Sequence, residues 1–308
     1  MSVRHRRAQT AAEQLFDLEA YLNDRTARIN RALDGFLPEA SARPATIHNA
    51  MRYSLFAGGK RLRPVLCLAA AEACGGRAED ALPLACAVEC IHTYSLVHDD
   101  LPAMDDDDYR RGKLTNHKVY GEGIAILAGD ALLTQAFEIA AQCSRTPRYP
   151  LQDIVLELAR AAGSRQLIAG QVADLEAQGK KVSASQLQYI HERKTSALLR
   201  CAVRLGGMSA NCTPAQLTAL ADFGYHVGLA FQIIDDLLDV TQTSAQLGKT
   251  AGKDVAAQKA TYPGILGLEK SQQIARRLTN QAFAALEVFR GRATALHALA
   301  AFLLQRDR

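Results

Sequence analysis

Apolar residues recur along this chain at intervals of three and four, and glycine or proline marks most places where the recurrence stops. Leu15, Leu18, Leu22, Ile29 and Leu33 make one such stripe, ended by Gly35 and Pro38. Pro44 suits the first turn of the next helix, which carries Ile47, Met51 and Leu55 as far as Gly58 and Gly59. A third helix runs from Pro64 to Gly75 and Gly76. A fourth, with Asp80 as its N-cap and Pro83 in its first turn, passes through Cys86, Cys90 and His92 to Asp99. The pattern lapses from Leu101 to Tyr120, a loop long enough to carry function. It resumes at Gly121 with Leu127, Leu132 and Phe137, then continues as two helices, Leu151 to Gly163 and Ser164 to Gln178. Ser185 and Gln188 have capping-box spacing and open a helix that delivers Arg193, Lys194 and Thr195 in mid-run. Thr213, Pro214 and Gln216 open another, and two or three helices starting at Pro263, Ser271 and about Ala293 close the chain. No period-two run bounded by turns occurs, so no strand is expected. The chain therefore reads as all-α, a large helical bundle of about ten core helices. No linker or composition break divides it, and residues 1–308 are expected to form a single domain.

Composition narrows the function classes. A chain of 308 residues lies near the upper limit of what one core supports. A net charge of +4 is too small to make nucleic acid the expected partner. Seven cysteines without regular spacing make neither a disulfide framework nor a Cys-x-x-Cys metal pair, which points to a reducing, cytoplasmic setting. Arg4, His5, Arg6 and Arg7 read as a frayed basic tail, because Glu13 and Asp17 follow where a signal peptide would be apolar. No run of about 18 apolar residues occurs, so no membrane span is expected.

The candidate chemistry begins at the end of the fourth helix. From Asp99 to Asp108 there are six carboxylates in ten residues: Asp99, Asp100, Asp105, Asp106, Asp107 and Asp108, with Arg110 and Arg111 beside them. Pro102 stops the helix close to Asp100, so the first two carboxylates sit at its negative end, where an uncompensated anion is unfavourable. Far downstream, Asp235, Asp236 and Asp239 form a second cluster, with Asp235 and Asp239 stacked on one helical face. One such run alone is as often a solvated acidic face. The second run argues otherwise, because Tyr225 to Ile234 contains no charged side chain except His226, and buried carboxylates must pair or coordinate. Two clusters facing each other across a bundle suit Mg²⁺, which takes one or two carboxylates plus substrate phosphates. An EF-hand is excluded, since Tyr109 and Arg110 stand where that loop needs a ligand and its glycine.

The basic residues are scattered singly: Lys60, Arg63, Arg110, Arg111, Lys194, Lys249 and Lys259. No nucleophile elbow, Walker loop or zinc signature accompanies them. Lys60, Arg61 and Arg63 follow two glycines and read either as compensation of a helix dipole or as a phosphate cradle. His92, two turns before Asp99, reads by default as a core histidine. Mg²⁺ with many cations implies one or two diphosphates, and the apolar helix walls below the aspartates imply a hydrocarbon remainder.

These motifs, in this order, resemble the short-chain trans-prenyl diphosphate synthases, most closely the bacterial farnesyl diphosphate synthases. The resemblance runs essentially end to end and rests on Gly58 to Pro64, Asp99 to Asp105 with Arg110 and Arg111, Lys194 with Thr195, Phe231 and Gln232 with Asp235 to Asp239, and Gly248, Lys249 and Lys259. It implies an isoprenoid synthase-like bundle around a central cavity, a homodimer, and condensation of isopentenyl diphosphate with dimethylallyl or geranyl diphosphate through an allylic cation. It further implies two or three Mg²⁺ held by Asp99, Asp105 and Asp235, with Arg110, Lys194, Lys249 and Lys259 on the allylic diphosphate. Isopentenyl diphosphate would rest on Lys60, Arg63, His92 and Arg111. Thr195 and Gln232 would line the allylic site, while Asp100, Asp236 and Asp239 would orient waters or basic side chains.

Product length depends on the residues beneath Asp99. Ser95 lies one turn below it and Tyr94 adjoins, and in similar enzymes the residue five before the first aspartate is a floor. Tyr94 and Ser95 are accordingly the expected chain-length floor, giving a fifteen-carbon product. Geranylgeranyl diphosphate synthase is the near alternative, with a deeper pocket; a terpene cyclase or a non-catalytic helical regulatory subunit is more distant.

Overall fold

The computed structural model describes residues 16–241 and 260–304. Fourteen α-helices follow in chain order: α1 Leu18–Phe36, α2 Ala45–Leu55, α3 Leu62–Ala73, α4 Ala78–Asp99, α5 Asn116–Tyr120, α6 Glu122–Ala140, α7 Leu151–Ala162, α8 Leu167–Ala177, α9 Ala184–His191, α10 Ala197–Ser209, α11 Pro214–Thr241, α12 Tyr262–Leu266, α13 Leu268–Ala285 and α14 Thr294–Leu304. The fold is all-α, as the sequence pattern predicts.

The long helix α4 is the spine. Its small residues, among them Ala85, Ala87 and Cys90, let α3, α6 and α10 close in on it, and its buried positions run round the axis instead of along one stripe. The other long helix, α11, packs between α10 and α13. A continuous core joins the two groups through Leu66, Leu68, Ile91, Val203, Phe223 and Ile233, each at most 1% exposed. Helices α6 and α11 are long and apolar enough to cross a bilayer by composition, contrary to the expectation from uninterrupted apolar runs, but both are packed into the bundle.

Capping settles the boundaries. Asp17 accepts the Ala20 N–H at 2.9 Å to start α1, and Thr213 with Gln216 forms a reciprocal box at the start of α11. Two expected caps are displaced. The box that opens α9 is Ser183 with Gln186, not Ser185 with Gln188, two pairs of identical spacing that only the chain's entry angle distinguishes. Asp80 is not an N-cap: α4 begins two residues earlier, and Glu79 and Asp80 lie in its first turn, where carboxylates offset the helix dipole.

Two features escape the periodicity. The loop after α4 contains a small antiparallel hairpin, β1 Tyr109–Arg110 with β2 Lys113–Leu114, where no strand was expected. The run from Ala184 to Ser209 is interrupted by a five-residue π-helical turn, Glu192–Ser196.

Candidate functional site

The acidic loop folds back over the end of α4. The Asp105 N–H donates to the Asp99 carbonyl at 2.9 Å, Asp106 to Leu101 at 3.1 Å and Asp107 to Asp100 at 3.2 Å, with Asp106 in the left-handed region at φ +50°. Backbone donors thus satisfy the carbonyls at the helix terminus and bring Asp105 beside Asp99. Their neighbours divide. Asp100 turns inward, 3% exposed, and accepts a hydrogen bond of 2.6 Å from the Nε of Arg110, whose Nη2 lies 2.6 Å from the same oxygen and 3.5 Å from Asp107. Burial pushes the Asp100 carboxyl above the usual carboxylate range against the pull of that guanidinium. Asp108 pairs with Lys118 at the surface. On α4 the partly exposed positions near the motif include His92, Ser95, Leu96 and Asp99, which share one partly open face.

The π turn stands across from this face. In a π turn one extra residue is accommodated, so consecutive side chains are re-aimed without ending the helix. Here the ammonium of Lys194 bonds Asp174 of α8 at 2.7 Å and lies 3.6 Å from Asp99, while the Thr195 hydroxyl donates to Gln232 of α11 at 2.7 Å. Burial disfavours the Lys194 ammonium, but Asp99, Asp174 and Asp105 outweigh it and hold its pKa above the usual lysine value. Gln171, one turn before Asp174, donates to Asp99 as well. Gly170 makes this approach possible: a Cβ there would land on the backbone of Arg193 and Lys194. Gln232 lies three residues, nearly one turn, before Asp235, so the polar contacts of the π turn run from the first acidic cluster to α11 within a turn of the second. In that second cluster Asp235 is partly buried, Asp236 accepts the Tyr262 N–H at 2.9 Å, and the Oδ2 of buried Asp239 has no hydrogen-bond partner among the described residues.

The basic residues expected to cradle a phosphate separate into distinct roles. Arg63 and His92 face each other at 3.4 Å, and the buried Nε of Arg63 has no hydrogen-bond partner among the described residues. Burial, with Arg111 nearby and only Glu89 opposing, pushes the Arg63 guanidinium down to about 10; burial and then Arg63 and Arg111 push the His92 imidazole far below its usual range, so it is neutral. Arg111 donates to the Gly58 carbonyl, and its guanidinium occupies the space that a Cβ on Gly59, at φ +112°, would fill. Arg63, His92 and Arg111 therefore surround one electropositive recess. Lys60 stands apart from it, its Nζ 4.9 Å over the Phe302 ring. Arg61 is structural: 4% exposed, it pairs with buried Glu89 at 2.7 Å and reaches Asn30 and the Leu55 carbonyl. Tyr94 is 6% exposed and stands edge-to-face against His98, which bonds the Ile126 carbonyl at 2.9 Å. Five residues turn a helix by roughly 140° relative to Asp99, so it is Ser95 that shares the Asp99 face. Lys249 and Lys259 lie outside the described residues, as does the basic N-terminal tail.

Two partners were not assigned from sequence. Gln171 and Asp174 carried a legible signal: two polar side chains three apart on a helix, beginning directly after a glycine, in an otherwise apolar stretch. The donors around the cleft are oxygens, and among the described residues no three His, Cys, Asp or Glu side chains form a ready-made metal cage. That set fits Mg²⁺, which retains water and substrate oxygens alongside carboxylates, and not a thiolate- or imidazole-seeking metal.

The sequence profile of the polyprenyl synthetase family matches residues 44–291, a span that contains both acidic clusters, the π turn and the Arg63 recess. The chain belongs to that family. Among curated relatives, it is 49% identical to a chloroplastic geranylgeranyl pyrophosphate synthase of Capsicum annuum over 97% of this chain and 81% of that protein. Among solved structures, the geranylgeranyl pyrophosphate synthetase of Pyrococcus horikoshii superposes with a TM-score of 0.87 at 31% identity, covering 94% and 98% of the two chains. An FPP/GFPP synthase from Zymomonas mobilis gives 0.83 at 34% identity over 93% and 98%. The chain is a prenyltransferase of the isoprenoid chain-elongation type.

Proposed function

We propose that this chain condenses isopentenyl diphosphate with an allylic diphosphate, head to tail, and that elongation proceeds to the twenty-carbon geranylgeranyl product. The observation that supports the reaction best is the π turn between the two aspartate-bearing helices: Lys194 reaches Asp99 and Asp174 while Thr195 reaches Gln232, a turn before Asp235. Arg110 and Lys194, joined by Lys249 and Lys259, hold the allylic diphosphate. Asp99, Asp105 and Asp235 would hold two or three Mg²⁺, and the metal, when bound, supplies neutralisation of the diphosphate charge as it departs. Thr195 and Gln232 turn hydroxyl and carbonyl dipoles toward the allylic carbon. Arg63, His92 and Arg111, with Lys60 at the rim, orient isopentenyl diphosphate so that its double bond attacks that carbon. The proton then lost goes to the released diphosphate, and no side-chain nucleophile is required.

The twenty-carbon assignment replaces the farnesyl expectation as the better supported one. Most of the relatives near half identity are named for geranylgeranyl synthesis, although one at 49% is named a dimethylallyltranstransferase, and small Ser95, not Tyr94, shares the Asp99 face. The same reading makes residues 1–308 one domain, with no membrane span, and a homodimer. It is placed in the cytoplasm, where its seven free thiols stay reduced. Incubation with Mg²⁺, isopentenyl diphosphate and dimethylallyl diphosphate, followed by product sizing, tests it. A C20 product is expected; accumulation of C15 with no C20 restores the farnesyl reading, and absence of any condensation removes both.

A further inference from the structure

The π turn has a second side. Lys194 and Thr195 point to the acidic clusters, whereas Arg193 and Ser196 line a separate cleft of about 290 Å³ between α7, α10 and α11. We propose that this cleft is an anion site distinct from the substrate pockets, taking a small multivalent oxyanion of the inorganic phosphate or diphosphate class.

The charge balance of the lining carries this. Four guanidiniums, Arg160, Arg193, Arg200 and Arg204, meet only two carboxylates. Glu157 is fully engaged by Arg204 through hydrogen bonds of 2.6 and 3.0 Å. Glu192 accepts from the Tyr225 hydroxyl and, at 2.8 Å, from Gln188. Among the described residues, Arg160, Arg193 and Arg200 make no ion pair, so the cleft holds surplus positive charge, with Arg193 partly buried and Arg160 and Arg200 exposed at its edge. A second observation is independent of charge. Among the described residues, the hydroxyl of Ser196, a residue 1% exposed and packed against Gly228 of α11, has no hydrogen-bond partner, and neither does the buried Nε of Arg193, whose guanidinium otherwise lies over the Tyr189 ring and donates to Gln166. Unsatisfied buried donors are uncommon and costly, and both are donors that a phosphate oxygen accepts. The lining also says what does not bind. Apart from the Tyr225 ring its only apolar side chains are Ala161 and Ala197, too little to bury a prenyl tail. Because Arg193 and Ser196 share five residues with Lys194 and Thr195, an occupant of the cleft bears on the same turn that holds the reacting diphosphate. That coupling rests on the prenyl-transfer reading; the binding does not.

The test is calorimetric titration of the full chain with inorganic diphosphate in excess chelator, at constant ionic strength set with chloride. Wild type is compared with the exposed double substitution Arg160→Glu, Arg200→Glu and with Ser196→Ala, all checked for an unchanged melting temperature. The double variant is expected to bind one diphosphate fewer per chain than wild type, and Ser196→Ala to weaken that same site at least threefold. Equal stoichiometry and affinity in wild type and double variant overturn the site. In the active enzyme, inorganic phosphate is expected to shift the KM for allylic diphosphate at least twofold in wild type and not in the double variant. An identical response in both overturns the coupling, and a chain with no condensation activity removes the prenyl-transfer reading while the titration still decides the site.

Discussion

Lys194 shows why single cations in this chain matter more than their number. Its ammonium is the shared partner of Asp99 and Asp174, so removing it leaves two carboxylates facing each other across a partly buried cleft. Lys194→Ala is expected to lower kcat/KM by on the order of 10²–10³ through loss of a preorganised charge at the leaving diphosphate; steady-state assays with either substrate varied measure it. Arg63→Ala should separate the two pockets. On the proposed role of Arg63, deleting a partly buried guanidinium that holds a diphosphate costs about 2 kcal/mol or more, so KM for isopentenyl diphosphate should rise roughly 30-fold or beyond while KM for the allylic substrate holds. A parallel rise in both KM values would refute the separation. At this scale the sequence announced the aspartates through their clustering, yet it could not distinguish Lys60, Arg61 and Arg63. Three cations in four residues look alike until backbone geometry, with Arg61 at φ +49°, sends one into the core.

Among the elements, the helices were legible because apolar spacing and caps agree, whereas the π turn was not. Glu192 to Ser196 keeps a helical composition, and one inserted residue changes no apolar stripe enough to register. The hairpin escaped for a different reason: two residues per strand cannot display an alternation. Ser183 and Ser185 were equally good caps on spacing alone. Gly170→Ala tests the importance of the approach between α8 and the π turn. The methyl must displace the Arg193–Lys194 backbone, so activity should fall at least tenfold, accompanied by a lower melting temperature. The connection from α2 to α3 depends on Arg61 in the same way. Arg61→Ala strands buried Glu89 and should cost about 3–5 kcal/mol, read from denaturant midpoints.

For the molecule as a whole, buried neutral histidines set the acid limit of stability. Burial, reinforced by Lys194 and only partly opposed by Asp174, pushes the His191 imidazole down to about 4, and His92 lies far below its usual range as well. A group that protonates more readily when unfolded makes stability rise with pH between its folded and unfolded pKa values. The contribution is fully present above about pH 6.5 and is lost as pH falls toward 4. His191 alone accounts for on the order of 3 kcal/mol over that window. Chemical denaturation at pH 7 and pH 4.5 should show the loss, and His191→Gln should flatten it; an unchanged pH slope in that variant would exclude His191 as the cause. The hairpin bears on the same scale. Arg110 and Arg111 are consecutive, yet one reaches Asp100 beneath the acidic loop and the other, at φ +53°, reaches back to the Gly58 carbonyl. The two consecutive guanidiniums thus tether the hairpin to two different parts of the bundle, the end of α4 and the turn after α2, so a substitution in the hairpin loosens both attachments together.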